Sequence, residues 1–281
     1  MLPAPDAPPA ATGLVLTGGG ARAAYQVGVL QALAKLRRGA GAASRGPLFP
    51  IITGTSAGAI NAAALACGAD DFEATVRRIG QVWAGLGPDQ IYSVDALRVL
   101  SSDAPWARLL SAGWLIARWR RSGSRSLLDN SPLRRLLEEL VPLGRLDELM
   151  AQGHLDALAV TASSYGSGEH VTFYQASDTQ QPWVRSRRLA APVRIAHEHL
   201  LASSAIPFVF PATALDIGGH AEYFGDGSMR QSAPLAAAIH LGARRILAVG
   251  AGRMQEPAEA LAPNALSGYP SLAQIAGHAL S

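Results

Sequence analysis

The sequence predicts an α/β fold, with helices alternating with short buried strands around a largely parallel or mixed sheet covered on both faces. Three observations carry this. Two strand, glycine-turn, helix units follow one another near the amino terminus. The apolar period shifts from helical spacing to alternation near residue 155. Neither an internal repeat nor a linker-like low-complexity segment divides the 281 residues. A composition of 49% hydrophobic and 16% charged residues can bury a sizeable core and excludes disordered and collagen-like chains. One cysteine excludes a disulfide scaffold.

The elements follow in order. Gly13 to Thr17 is an apolar run ending in Gly18-Gly19-Gly20, and from Ala21 to Arg38 the residues Tyr25, Val29, Leu33 and Leu36 recur at helical spacing. After a loop over 39–48, a strand from Phe49 to Thr53 leads into GTSAGAINAAALACG, whose alanines favour a helix. Residues 71–84 read as a helix and 94–121 as one or two more, broken at Pro105. Ser131 reads as an N-cap with Pro132 opening the helix LRRLLEEL. LDALAVTAS and HVTFYQ read as the strands of a hairpin turning at Tyr165-Gly166-Ser167-Gly168. A helix over 192–203, a strand end at Tyr223-Phe224, a helix from Pro234 to Leu241 and a strand from Arg245 to Val249 complete the set. The expected organisation is a flexible segment over 1–12 and a single domain over 13–281, with a helical insertion over about 94–150.

Charge narrows the function classes. Lys and Arg total 24 against 21 Asp and Glu, and a surplus of three does not argue for nucleic acid. No run of about 18 uncharged apolar residues occurs, so no transmembrane helix is expected. The opening MLPAPDAPPAAT has neither a basic n-region nor an apolar h-region, which predicts a cytoplasmic protein, and Cys67 fits a reducing compartment. No acidic residue lies between Asp6 and Asp70, whereas Arg22, Lys35, Arg37, Arg38 and Arg45 do.

Gly54-Thr55-Ser56-Ala57-Gly58 is a G-x-S-x-G pattern between a predicted strand and a predicted helix. So sharp a turn strains the serine and leaves no room for side chains two positions away, so glycine is favoured on both sides. The turn presents Ser56 at the carboxyl end of the strand, with the positive end of the helix behind it.

The loop Gly18-Gly19-Gly20-Ala21-Arg22-Ala23 also satisfies the dinucleotide fingerprint, which needs an acid about 20 residues on to hold the ribose. The acid-free stretch supplies none. No G-K-[ST] follows, which excludes a P-loop. What remains is an anion site of backbone N–H groups for a developing oxyanion. A plain tight turn, and a phosphorylated-dinucleotide loop read by Arg37, Arg38 or Arg45, stay open beside it.

A nucleophilic serine needs a base. None of His154, His170, His197, His199, His220, His240 and His278 sits at a glycine-flanked strand end, and each suits a structural or surface role. Asp226, between Gly225 and Gly227 after a short apolar strand, has the better setting, although Asp-Gly is also an ordinary turn. The histidines, acids and single cysteine show no ligand spacing, so neither a metal nor a cofactor is expected.

Four blocks together resemble the patatin-like phospholipase family, acyl hydrolases with a Ser–Asp dyad: GGGARAAYQVGVLQAL, GTSAGAINA, LASSAIPFVFP and YFGDGSMRQSAPL, in the family's order. The resemblance implies a three-layer α/β/α sandwich around a mixed, mainly parallel sheet, related to cytosolic phospholipase A2. It implies Ser56 as nucleophile, Asp226 as proton acceptor, and an oxyanion hole built from Gly18, Gly19, Gly20, Ala21 and Arg22. Gly54 and Gly58 would form the nucleophile elbow and Gly227 the aspartate motif. Ala23 and Ser228 replace residues that are usually glycine, or glycine or alanine, in the family's blocks. The implied substrate is a lipid or acyl ester; a catalytically silent lipid- or acyl-binding protein of the same fold is the alternative.

Two further segments point to partners. Residues 104–121 place Trp106, Leu109, Leu110, Trp114 and Ala117 on one helical stripe beside Arg108, Arg118, Arg120 and Arg121. That pattern suits a helix lying in a membrane interface, with Trp106 and Trp114 as contacts, and equally a core-facing helix. Leu272, Ile275, Ala276 and Ala279 form a stripe within 271–281 that reaches Ser281 without a capping signal, which suggests a helix that continues or docks on a partner or a second copy.

Overall fold

A computed structural model describes residues 11–41, 46–92, 128–177, 184–185, 188–229 and 234–250. The helix expectations over 94–121, the contacts assigned to Trp106 and Trp114, and the stripe within 271–281 lie outside the described residues.

The first unit is β1 (Thr12–Leu16), a short 3-10 turn (Gly20–Ala23) and α1 (Ala24–Gly39). The single helix expected from Ala21 therefore divides, because the chain leaving three glycines first makes a tighter turn. The second unit is β2 (Ile51–Thr55) and α2 (Ala57–Ala66). This strand runs two residues beyond the predicted end because Gly54 and Thr55 continue the register with β3 (Ala157–Ser164), pairing with Val160 and Thr161. α3 (Phe72–Gly85) starts where the Asp71 carboxylate accepts from Ala74 N–H at 2.9 Å. α4 (Ser131–Leu140) has Asn130, not Ser131, at its N-cap, since the Ser131 hydroxyl donates to Asp129.

Beyond α5 (Leu146–Ala151), β3 and β4 (His170–Ala176) form the expected hairpin, with Ser163 opposite His170. The predicted helix over 192–203 is corrected: β5 (Val184–Arg185) and β6 (Arg188–Pro192) precede it, and α6 spans only His197–Ser203. β7 (Thr213–Ile217) was unexpected, and β8 (His220–Asp226) begins before Tyr223. These strands lack clean alternation, so pairing with neighbours decides them rather than pattern. α7 (Ala236–His240) and β9 (Arg245–Val249) complete the described elements.

The sheet runs β5-β6-β4-β3-β2-β1-β9. It is parallel through β9, β1, β2 and β3 and antiparallel at β3–β4, so it is mixed, with helices on both faces. One face packs Leu14, Leu16, Ile52, Leu158 and Val160 against α1 to α6, and the other packs Val15, Ile51 and Ala159 against α7 and the turn after it.

One detail of the topology creates the site. β2 runs parallel to β3 and ends with Thr55 opposite Thr161, whereas β8 runs antiparallel on the same edge of β3 and ends with Asp226 opposite Ala162. Two strands thus arrive head to head at adjacent register positions, about one strand rise apart. The residues at their carboxyl ends are Ser56 and Asp226.

Candidate active site

Ser56 sits between β2 and α2 at φ 55°, ψ −132°, a backbone region that costs a non-glycine residue about 1–3 kcal/mol and persists only where surroundings impose it. Those surroundings are close. A Cβ on Gly58 would lie 2.3 Å from the Leu16 carbonyl oxygen and 2.5 Å from that of Thr17, and one on Gly54 would lie 2.5 Å from Ala59 Cα. Both elbow glycines are therefore required by packing: α2 lies directly on β1 and β2, and its alanines allow the approach.

The Ser56 hydroxyl donates to Asp226 Oδ2 at 2.6 Å, and both residues are 4% exposed. The other carboxylate oxygen, Oδ1, accepts from Ser228 N–H at 2.8 Å and from the Ser228 hydroxyl at 2.6 Å. Ser228, a departure from the family pattern, thus holds the carboxylate so that Oδ2 faces Ser56. Sequence reasoning missed this, because a hydroxyl two residues beyond an aspartate is also an ordinary turn.

Ser203 is the second unforeseen residue. Fully buried at the end of α6, its hydroxyl accepts from Ser56 N–H at 2.8 Å and donates to the Thr161 carbonyl at 2.6 Å. Gly227 N–H donates back to the Ser203 carbonyl at 3.1 Å, and Asp226 N–H to that of Ala205 at 2.9 Å. A Cβ on Gly227 would stand 2.0 Å from the Thr161 carbonyl oxygen, so only glycine lets the chain leave β8 here.

The glycine loop closes over this pair. A Cβ on Gly18 would lie 3.2 Å from Ser56 Cβ and 2.8 Å from Ser228 Cβ, which places the loop directly against the serine. The first hydrogen bond of the following turn runs from Arg22 N–H to the Gly19 carbonyl at 3.1 Å. The N–H groups of Gly20 and Ala21 therefore have no acceptor within that turn and are available as donors. The Arg22 side chain is exposed.

Tyr165 lies across Gly225, its hydroxyl oxygen 2.4 Å from where a Cβ would stand. Burial first, and then the Asp226 charge, raise its phenol above the ordinary range. Among the described histidines none bonds Ser56 or Asp226: His197 Nε2 donates to the Val141 carbonyl, and His199 Nδ1 accepts from Ala196 N–H beside Phe173. A cavity of about 560 Å³ lies at the other end of the sheet, among Arg37, Asp70, Phe72 and His154, away from Ser56. Among the described residues, no group of three or more potential metal ligands forms, and no helix is long and apolar enough to cross a membrane.

Residues 14–239 match the family model described as patatin-like phospholipase. The chain belongs to the patatin-like phospholipase family. No curated protein matches it. Among solved structures it is similar to VipD from Legionella pneumophila, at 17% identity and a TM-score of 0.43, over 87% of this chain and 50% of that one. It is also similar to a chain of the complex between SpcU and ExoU from the type III secretion system of Pseudomonas aeruginosa. There the identity is 22% and the TM-score 0.31, over 59% of this chain and 35% of that one. The chain thus spans half or less of the length of these solved proteins.

Proposed function

We propose that this patatin-like protein is a serine acyl hydrolase of phospholipase A or lysophospholipase type, working through an acyl-enzyme on Ser56 with Asp226 as its base. The observation that carries the reading is the buried 2.6 Å hydrogen bond from the Ser56 hydroxyl to Asp226 Oδ2, at the meeting point of β2 and β8.

The proposed steps follow from that bond. Ser56 Oγ attacks the ester carbonyl carbon while its proton passes to Asp226 Oδ2. The carbonyl π electrons move onto oxygen, and the amides of Gly19, Gly20 and Ala21 receive the negative charge. Collapse breaks the bond to the leaving alcohol, which takes the proton from Asp226. Water then attacks the acyl-enzyme, with Asp226 again accepting the proton and passing it to Ser56 Oγ as the acyl bond breaks, which releases the fatty acid and restores the Ser56 hydroxyl and the Asp226 carboxylate. A carboxylate is a weak base at neutral pH, so the short bond and the exclusion of water from both partners are what make the dyad workable. A peripheral location at the inner face of a membrane, with contact through Trp106 and Trp114, belongs to the same reading.

Ser56→Ala and Asp226→Asn are each expected to lower kcat/KM on short p-nitrophenyl esters by about 10⁴-fold or more. Wild-type rates in either variant would sink the assignment. Fluorophosphonate labelling of wild-type Ser56 separates an enzyme from a silent acyl-binding protein, which would not label.

A further inference from the structure

A loop of three glycines is conformationally free, yet oxyanion donors act only when held in place before the reaction. We propose that Gln26 and Asn61 are positioning residues that clamp the glycine loop against the nucleophile elbow, an inference that rests on the ester-hydrolase reading above.

Both residues are polar, lie on helices, and are 0% and 1% exposed, which requires partners for every polar atom. Gln26, on α1, donates through Nε2 to the Thr17 carbonyl at 2.7 Å and to the Val249 carbonyl at 3.3 Å. Its Oε1 accepts from Asn61 Nδ2 at 3.1 Å. Asn61, on α2, also donates through Nδ2 to the Ala23 carbonyl at 3.2 Å, and its Oδ1 accepts from Trp83 Nε1, on α3, at 2.8 Å. All four amide hydrogens are used.

The orientation of both amides follows from their partners. Turning Gln26 over would aim Oε1 at two carbonyl oxygens. Turning Asn61 over would set Oδ1 against the Ala23 carbonyl and Nδ2 against the indole N–H. Only one arrangement satisfies the network, and it runs in one direction, from Trp83 through Asn61 and Gln26 to the backbone.

The place where it ends is the point. Thr17 is the residue before the first glycine and Ala23 is the last residue of the turn after them, so the clamped carbonyls bracket the whole proposed oxyanion loop. Asn61 belongs to the helix that starts behind Ser56. The loop and the elbow are thereby joined by side chains as well as by the contact of Thr17 with Gly58. A shift of the Thr17 or Ala23 peptide would turn the neighbouring N–H groups away from the oxyanion position. The two residues touch neither substrate nor reacting atoms.

The test uses Gln26→Met, Asn61→Leu and their double variant, with hydrolysis of a short p-nitrophenyl ester and inhibition by an alkyl trifluoromethyl ketone. Ser56 adds to that ketone to give a stable oxyanion. A displaced loop is expected to lower kcat about 10- to 100-fold with KM within about threefold, and to raise the ketone inhibition constant by the same factor. The double variant is expected to be little worse than either single one, because the two amides act as a unit. Leu149→Val, in α5 at the other end of the sheet, is the comparison for loss of stability alone. Trp83→Phe keeps an aromatic ring of smaller size while removing the indole N–H that Asn61 accepts, and is expected to give the same signature at about threefold should the others not fold. The proposal is overturned if folded variants keep kcat and inhibition within about twofold of wild type, or lose them only as Leu149→Val does for an equal drop in Tm. A wild-type protein that neither hydrolyses the ester nor binds the ketone, or a Ser56→Ala protein as active as wild type, would instead overturn the hydrolase reading and this inference with it.

Discussion

The two residues of the proposed dyad are held in different ways. Ser56 is placed by its immediate neighbours in sequence: a strand that stops at Thr55, a helix that starts at Ala57, and two glycines whose missing side chains let α2 sit on β1 and β2. Asp226 is placed from a distance, since its backbone is tied to Ala205, the following residue to Ser203, and its edge of β8 to Ala162. The serine turn is shaped mainly by a local device, with one distant hydrogen bond to Ser203, whereas the aspartate backbone is held by tertiary contacts and only its carboxylate is steadied locally, by Ser228. The comparison teaches where damage should show: local changes near Ser56 should cost folding, whereas distant changes behind Asp226 should cost alignment.

The largest effect is expected on the serine side. Gly58→Ala would drive a methyl group into the Leu16 and Thr17 carbonyls and should destabilise the fold by about 3 kcal/mol or more, read as a large fall in Tm or in soluble yield. A variant with wild-type Tm would show that the elbow is not closely packed. Next comes Ser203→Ala, which leaves the Ser56 N–H and the Thr161 carbonyl without their buried partner. A loss of roughly 2–3 kcal/mol in denaturant unfolding is expected, together with a lower kcat. An unchanged kcat would mean that the link between α6 and the serine does not matter for the reaction.

Ser228→Ala removes one of two hydrogen bonds to Asp226 Oδ1 and keeps the backbone one. A three- to tenfold fall in kcat/KM with little change in Tm is expected, about 1 kcal/mol, because the remaining backbone bond still orients the carboxylate. Equal rates would show that the aspartate is aligned by its backbone alone. The smallest effect concerns His199 on α6, the helix that carries Ser203. Packing beside Phe173, away from water, lowers its imidazole below the ordinary 6.5, with the charge of Glu198 opposing the shift. The unfolded chain therefore takes up its proton before the folded one does. Stability should be level above about pH 6.5 and decline as pH falls from there towards the lower folded value. His199→Gln should flatten that part of the stability profile, which unfolding midpoints at pH 5.5 and 7.5 would reveal.

The same contrast explains what could be read in advance. The first two strands, the turn at Ser56 and the β3–β4 hairpin were legible because each is a local pattern: an apolar run, a glycine turn, then a helical or alternating period. β5, β6, β7 and most of β8 were not, since residues such as Arg188, Glu222 and Asp216 do not alternate and become strand only by pairing. Ser56, the glycine loop and Asp226 could be named from their settings, but Ser203, Ser228 and Tyr165 are common residues in unremarkable stretches. Nothing local marks them.

By itself, then, the sequence determined the α/β class, the strained turn that presents Ser56, the glycine loop that lies over it, and an aspartate at a strand end. Only the tertiary structure decided that β2 and β8 meet head to head on one edge of β3, that Ser203 and Ser228 orient the two halves, and that Gln26 and Asn61 bracket the loop. The physical reason is range. Turn geometry and helix propensity act over a few residues and leave a pattern, whereas a hydrogen bond between residues 170 positions apart, such as Ser56 to Asp226, exists only once the sheet has set its register.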